Sequence, residues 1–133
     1  AITVFNSSMT GTNTTGVFVD RNNTVFIVDK TSDSVRGFFE GSLTSNRNLT
    51  DGLANPSSVI ATNDGTVYAD NGAINWRIHV WLPNSSNSRM VMTVPEACYS
   101  LFIDTNNHIY CSAALAHQIV KKWLGDNSNS SIR

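Results

Sequence analysis

The sequence predicts an all-β fold made of short antiparallel strands in three repeated units. Three observations support this: hairpin signatures recur at a constant spacing, each is followed by a strand of alternating polarity, and no stretch keeps a helical periodicity. The chain has 133 residues, which is enough for one domain with a buried core. We therefore treat residues 1–133 as a single repeat domain.

Each unit begins with a predicted hairpin. The three segments are GVFVDRNNTVFIVD, SVIATNDGTVYADN and SLFIDTNNHIYCSA. Each contains an apolar strand, a four-residue turn rich in Asn, Asp or Gly, and a strand of β-branched and aromatic residues, as is typical of a β-hairpin. The turns begin at Asp20, Thr62 and Asp104, which are 42 residues apart. A constant period of this length indicates a repeat architecture.

A third strand follows each hairpin, in the segments SVRGF, RIHVW and IVKKW. We align their aromatic ends, Phe38, Trp81 and Trp123, and expect the two tryptophans to close the cores of their units. A weaker fourth strand is clearest in SRMVMTV. Four short antiparallel strands in each unit are the pattern of a β-propeller blade. The three blades span approximately residues 14–50, 56–94 and 98–133.

Aromatic side chains at matching hairpin positions are expected to form the core between blades rather than a ligand platform. They are Phe18, Phe26, Tyr68, Phe102 and Tyr110. Trp76, in the loop AINWRI, is expected to be exposed and is a candidate interface anchor.

The blades resemble the NHL repeat. The resemblance is closest in GVFVDRNNTVFIVDKTSDSVRGF and DTNNHIYCSAALAHQIVKKW, and NPSSVIATNDGTVYADNGAINWRIHVW also has the proline that begins a repeat. It covers nearly the whole chain and implies a propeller of NHL-like blades. The chain departs from the repeat at Thr62, where Asp is usual, at Cys111, where an aliphatic residue is common, and at Phe38, where Trp is usual.

Three blades cannot close a propeller, because closed rings have four to eight blades. Joining the final segment SSIR to the first segment AITVF gives a phrase similar to SNSRMVMTV, which leads from the second blade towards the third. Residues 1–5 are therefore predicted to be a blade-completing strand, and the open blades are expected to be completed by another chain, in a closed ring or a filament. The predicted assembly residues are Ala1, Ile2, Thr3, Val4, Phe5, Ser131, Ile132 and Arg133.

Two features indicate an extracellular location. The chain contains six N-glycosylation triplets in segments expected to be turns or loops, with acceptors at Asn6, Asn13, Asn22, Asn48, Asn84 and Asn129. Its two cysteines, Cys98 and Cys111, flank a predicted hairpin turn at a spacing suited to a disulfide. We therefore expect a secreted protein with one disulfide and N-linked glycans.

Charge and hydropathy give no reason to expect nucleic acid or membrane insertion. The net charge is −1, and no apolar stretch approaches the roughly 20 residues that span a bilayer. Some NHL domains bind RNA through a basic face, and four cations lie on third strands: Arg36, Arg77, Lys121 and Lys122. Acidic and basic residues are almost equal in number, at 10 and 9, so we expect no nucleic-acid partner.

Catalysis is not expected either. Some NHL propellers are lyases that hold zinc with histidines from separate blades, but here His108 and His117 share one blade and His79 lies at a non-equivalent position. The acidic turn residues are expected to shape their turns. The leading hypothesis is a non-enzymatic, self-assembling extracellular protein without cofactor. One alternative is that the chain is part of a larger ligand- or protein-binding NHL propeller. A weaker alternative is a metal-dependent propeller lyase or hydrolase.

Overall fold

The computed structural model describes Ile2 and residues 4–126, and it contains three antiparallel sheets. The strands are β1 (Thr14–Val19), β2 (Val25–Asp29), β3 (Ser34–Phe38), β4 (Arg47–Leu49), β5 (Val59–Ala61), β6 (Val67–Asp70), β7 (Arg77–Trp81), β8 (Arg89–Thr93), β9 (Leu101–Ile103), β10 (His108–Ala113) and β11 (Gln118–Trp123). Two single-turn helices accompany them, α1 (Ser7–Thr10) and α2 (Gly72–Asn75). Neither of these helices has the length and apolar character needed to cross a membrane.

Each sheet is one blade. Blade 1 contains β1 to β4 in sequential order, blade 2 contains β5 to β8, and blade 3 contains β9 to β11 within the described residues. The first strands lie side by side, β1 beside β5 and β5 beside β9, so they are the innermost strands of a fan. The predicted all-β fold of propeller-type blades is confirmed.

The three hairpin turns repeat one hydrogen-bond pattern. In blade 1 the Asp20 N–H donates to the Thr24 carbonyl and the Asn23 N–H donates to the Asp20 carbonyl, and the same pairs recur after Thr62 and Asp104. The fourth turn residue has a left-handed backbone in every case, which suits asparagine and glycine. These residues are Asn23 (φ 60°), Gly65 (φ 93°) and Asn107 (φ 65°).

Blade 2 keeps this turn although it lacks the first aspartate. In blade 3 one carboxylate oxygen of Asp104 accepts hydrogen bonds from the N–H groups of Asn106 and His108. In blade 2 the carboxylate of Asp64 accepts instead, from the Thr66 N–H at 3.0 Å and from the Thr62 hydroxyl at 2.6 Å. The departure of Thr62 from the NHL pattern is therefore compensated within the same turn.

Two apolar clusters hold the blades together. The cluster between blades 1 and 2 includes Phe26, Val35, Leu49 and Trp81, all with almost no exposed surface. The cluster between blades 2 and 3 is built from β-branched and sulfur-containing side chains around the disulfide. Its members include Ile60, Ile78, Val80, Met92, Cys98, Ile109, Cys111 and Val120. Phe18 packs against both clusters.

The alignment of the strand-ending aromatics is wrong by one residue in blade 3. Trp81 pairs with Val67, and the residue of blade 3 equivalent to Val67 is Ile109, which pairs with Lys122. Lys122 is accordingly 3% exposed, whereas Trp123 is 52% exposed and does not close a blade core. Successive strand residues point to opposite faces of the sheet, so a shift of one residue exchanges the buried and the exposed side chain.

Candidate assembly surface

Each blade has two faces, and side chains alternate between them along every strand. We call the face directed towards the blade before it the preceding face and the face directed towards the blade after it the following face. Two hairpin residues are called equivalent when they lie the same number of residues from Asp20, Thr62 or Asp104. Two residues of the third strands are called equivalent when they pair with equivalent residues of the second strands. This equivalence allows the covered faces inside the chain to be compared with the two faces at its ends.

The following face of blade 3 is open and apolar. Phe102 is 61% exposed, although its equivalents Phe18 and Ile60 pack inside the blade interfaces. Ile119 is also 61% exposed, whereas its equivalents Val35 and Ile78 are completely buried. The expectation that Phe102 lies in a core between blades is therefore wrong for the described chain, because no described blade covers this face.

The preceding face of blade 1 is open near the inner strand. Val17 and Val19 are 66% and 52% exposed, but their equivalents in blade 2, Val59 and Ala61, are buried against blade 1. The outer part of the same face is covered, since Ile27 and Phe38 are almost fully buried. The two ends of the fan thus present complementary kinds of blade face, one following and one preceding.

The segment Val4–Thr10 covers the outer part of that preceding face. The aromatic ring of Phe5 lies 4.6 Å from the ring of Phe38, measured between centroids. The Arg36 guanidinium donates a hydrogen bond of 2.8 Å to the Met9 carbonyl. Just after this segment, the Asn13 N–H donates to the carboxylate of Asp29 at the end of β2. The segment is therefore anchored to blade 1 at Phe5 and Met9, and the chain is held again at Asn13 before β1 begins.

This segment lies where the fourth strand of a preceding blade would lie. In blade 2 the equivalent of Phe38 is Trp81, which belongs to the same cluster as Leu49 of β4, the fourth strand of blade 1. Phe5 thus packs on the blade 1 residue equivalent to Trp81, which shares a core cluster with Leu49. Val4 and Phe5 form bends rather than a strand in the described chain. Among the other predicted assembly residues, Ile2 is exposed, and Ala1, Thr3, Ser131, Ile132 and Arg133 lie outside the described residues.

Cys98 and Cys111 form the predicted disulfide, with their Cα atoms 5.3 Å apart. Both cysteines are fully buried, and the Ser58 hydroxyl donates a hydrogen bond of 2.7 Å to the Cys98 carbonyl. The bridge ties β10 to the segment that precedes β9, and Ser58 ties the same point to blade 2. This corner is where blade 3 joins the rest of the fan.

Five of the six predicted glycan acceptors are exposed: Asn6, Asn13, Asn22, Asn48 and Asn84. Asn48 lies in β4 and not in a loop, while Asn6 is the N-cap of α1. The sixth acceptor, Asn129, lies outside the described residues. Their occupancy remains a prediction.

The histidines occupy unrelated environments. His79 is half-buried, with Nδ1 3.0 Å from the Ser88 hydroxyl and Nε2 3.5 Å from the Asn71 amide nitrogen. Burial lowers the pKa of His79 below its usual value, and Arg77 lowers that pKa further, while Asp51 opposes the shift. Within residues 4–126, no three His, Cys, Asp or Glu side chains are grouped as metal ligands would be.

Apart from Phe102, the residues of the two open faces belong to no sequence motif. Val17, Val19 and Ile119 are ordinary β-strand residues, and nothing in their local sequence distinguishes them from core positions. The repeat does contain the information needed to locate the two open faces. Once residues are aligned between blades, every apolar position of the first preceding face and of the last following face lacks an internal partner blade.

No protein-family model matches the chain, and no curated protein sequence does. Among solved structures it is similar to Kuenenia stuttgartiensis hydrazine synthase, with a TM-score of 0.76, 17% identity, and coverage of 91% of this chain and 35% of that one. It is similar to virginiamycin B lyase from Staphylococcus aureus, with a TM-score of 0.64, 18% identity, and coverage of 83% and 38%. It is similar to the computationally designed Ika4 protein, with a TM-score of 0.71, 12% identity, and coverage of 100% and 78%. At these identities the similarities show the fold alone.

Proposed function

We propose that this chain is a non-enzymatic, secreted and glycosylated structural protein of NHL-like blades that assembles blade to blade with further copies of itself. The observation that supports this most is the pair of open faces. Phe102 and Ile119 on blade 3, and Val17 and Val19 on blade 1, are exposed at positions whose equivalents are buried between blades of the same chain. Docking blade 3 of one copy on blade 1 of the next would repeat the packing already present inside each copy.

Such an interface is heterologous, because two different surfaces meet. Copies joined by this interface form a closed ring if the rotation between neighbouring copies permits it, and a filament otherwise. Residues 1–5 of one copy would add the fourth strand to blade 3 of its neighbour, since Phe5 already lies at the equivalent place on blade 1. Adding a strand to an open sheet edge also satisfies backbone groups that would otherwise face water.

The secreted and glycosylated character is supported by the disulfide and by the exposure of the acceptors. A buried disulfide persists in oxidising compartments. Asn6, Asn13, Asn22, Asn48 and Asn84 are all exposed, as attachment of a glycan requires. Glycopeptide mass spectrometry of secreted material should find a glycan on at least one of them. Bare asparagines at all of these positions would contradict this part of the proposal.

The assembly is tested by sedimentation velocity on the purified chain. We expect species larger than the monomer at micromolar concentration and a return to monomer in Ile119→Asp, because a carboxylate would be buried without a partner in the docked face. The matched control is Leu115→Asp, which places the same charge on an exposed leucine of the β10–β11 turn. A monodisperse monomer of the unmodified chain would contradict self-assembly.

A monomer in this experiment would favour a second candidate function. The chain would then be part of a longer ligand- or protein-binding propeller whose remaining blades cover the two faces. The observation that favours this candidate is coverage: the chain spans only 35% of the hydrazine synthase chain and 38% of the virginiamycin B lyase chain.

A further inference from the structure

A cleft of about 510 Å³, lined by both polar and apolar side chains, lies between blades 1 and 2, away from the open faces. Its walls are the β1–β2 and β5–β6 turns, strand β4, and the linker between β7 and β8. We call this the rim cleft. Its volume is within the range of natural small-ligand sites, roughly 300–1,000 Å³.

The walls of the rim cleft are fixed by their own hydrogen bonds. The Arg47 guanidinium donates to the Gly65 carbonyl at 2.5 Å and to the Leu82 carbonyl at 2.8 Å, which joins blade 1 to two segments of blade 2. The carboxylates of Asp20 and Asp64 accept backbone N–H groups of their own turns. A ligand would therefore meet a preformed site rather than ordering flexible loops, which reduces the cost of binding.

Five of the sixteen residues that line the rim cleft are asparagines, which makes the amide its commonest side-chain group. Asn63 and Asn84 hydrogen-bond to no side chain or backbone group through their amides among the described residues, and the same is true of Asn22 and Asn48. Asn46 accepts from the Phe39 N–H through its carbonyl oxygen, which leaves its NH₂ group for a ligand. Each amide offers donors and an acceptor at fixed angles, so the group suits a neutral ligand with many hydroxyl or amide groups.

One aromatic ring completes the site. Phe39 lines the rim cleft with more than half of its surface exposed, and its partner in the wall, Phe26, is buried. A flat apolar ring beside convergent polar groups suits a ligand that has one apolar face and polar edges. The two turn carboxylates of Asp20 and Asp64 against the single cation Arg47 disfavour an anionic ligand.

We propose that the rim cleft binds a neutral saccharide of the N-acetylhexosamine class. Such a sugar has hydroxyl and acetamido groups for the asparagine amides and an apolar ring face for Phe39. It has two possible sources, and one of them rests on the proposed glycosylation. The acceptors Asn22, Asn48 and Asn84 all line the cleft, so the first sugars of a glycan attached there would lie in it. The other source is a free oligosaccharide.

The test uses the whole chain made without glycans, with its disulfide formed, and N,N′-diacetylchitobiose as the probe. Titration followed by amide NMR shifts should show saturable binding, with a Kd on the order of 1 mM, and shifts concentrated at residues of the rim cleft. Phe39→Ala and Asn63→Ala should each weaken binding at least about fivefold, which corresponds to about 1 kcal/mol. Absence of saturable shifts up to the solubility limit of the sugar, or shifts confined to other surfaces, would overturn the proposal.

The matched control for Phe39→Ala is Phe102→Ala, which removes an equally exposed phenylalanine from the open face of blade 3. Phe102→Ala should leave sugar binding unchanged and weaken assembly, so failure of the two proposals can be told apart. The glycosylated chain distinguishes the sources. Loss of chitobiose binding when Asn22, Asn48 or Asn84 is glycosylated identifies the attached glycan as the occupant, and undiminished binding identifies a free saccharide.

Discussion

His79 is a titratable side chain whose surroundings suit only its neutral form. Its Nε2 atom faces the amide nitrogen of Asn71, and that nitrogen also donates to the Gly52 carbonyl. A proton on Nε2 would face another donor. Burial and the nearby Arg77 both lower the pKa of His79, in agreement with this geometry. The imidazole therefore stabilises the Asp51–Gly52 loop against blade 2 while it is uncharged.

This geometry predicts that acidification destabilises the fold. The pKa of His79 is lower in the folded chain than the unfolded value of about 6.5, so the unfolded chain takes up this proton first. The stabilising effect is complete above pH 6.5 and is lost as the pH falls from that value through the folded pKa. Thermal melts between pH 7.5 and pH 5 should show a falling Tm, with a smaller fall in His79→Gln. The exposed His117→Gln is the control, and an equal pH dependence in both variants would contradict this role.

For single residues, the sequence predicts which side chains are important better than it predicts the face of the sheet on which each one lies. The exposure of Trp76 and the burial of Trp81 are confirmed. The error at Trp123 has a physical cause in the corner between the second and third strands. Blade 2 contains α2 in this corner and uses one residue more than blades 1 and 3, so matching tryptophans by type shifts the ladder of blade 3 by one position.

At the scale of elements, Arg47 is the point at which β4 joins blade 2. Its two hydrogen bonds reach the β5–β6 turn and the segment after β7. Burial lowers the pKa of Arg47, but an arginine remains charged at any physiological pH. Charge-assisted hydrogen bonds from one side chain to two loops hold these elements in register.

We therefore expect Arg47→Ala to lower the free energy of unfolding by about 1–3 kcal/mol, since it removes a charge-assisted donor from one partly buried carbonyl and one exposed carbonyl. Arg47→Lys should recover part of the loss, because one ammonium cannot match the planar fork. Urea denaturation measures both values. The exposed Arg21→Ala is the control, and a loss as large as that of Arg47→Ala would point to charge rather than to these bonds.

The disulfide is the second fixed point between elements. Replacing Cys98 and Cys111 together by Ser should lower the free energy of unfolding by about 3 kcal/mol, the value expected for a closed loop of this size. Native protein should show no free thiols by titration without reductant. Free thiols, or an unchanged midpoint in urea for the double variant, would contradict a structural bridge.

The hairpins could be predicted because their signal is local. The turn residues and β-branched residues of each hairpin lie within about 14 consecutive positions, and the same pattern recurs every 42 residues. The cleft between blades 1 and 2 could not be predicted, because its walls come from four segments spread between Asp20 and Ser86. No short motif records that these segments converge, since their proximity depends on the angle between two sheets.

At the scale of the whole molecule, the fan has two unlike ends. Blade 3 ends in an uncovered following face, and blade 1 ends in a preceding face that the segment Val4–Thr10 covers in part. The two exposed faces are thus equivalent to the faces that meet twice inside the described chain. The pattern of three repeats made this foreseeable, but the location of Phe5 on Phe38 was not, because bends have no periodic signature.

Deletion of residues 1–5 should abolish assembly while the hairpins remain folded. The deletion removes Phe5 from Phe38 and removes the strand proposed for the neighbouring copy. Circular dichroism should retain the β-sheet signal, and sedimentation velocity should show monomer. Phe5→Leu keeps an apolar contact and is the control. Stronger assembly after the deletion would mean that the segment instead obstructs docking.

The disulfide also decides how the chain would respond to a pulling force. Tension passing along the backbone from blade 2 into blade 3 reaches Cys98 and crosses directly to Cys111, so the twelve residues between them are excluded from the path. That segment holds β9 and its hairpin turn. The backbone between the two cysteines has a contour length of about 45 Å, and it cannot be extended until the disulfide is reduced. After reduction, β9 would carry the tension and would unfold together with the other strands of blade 3.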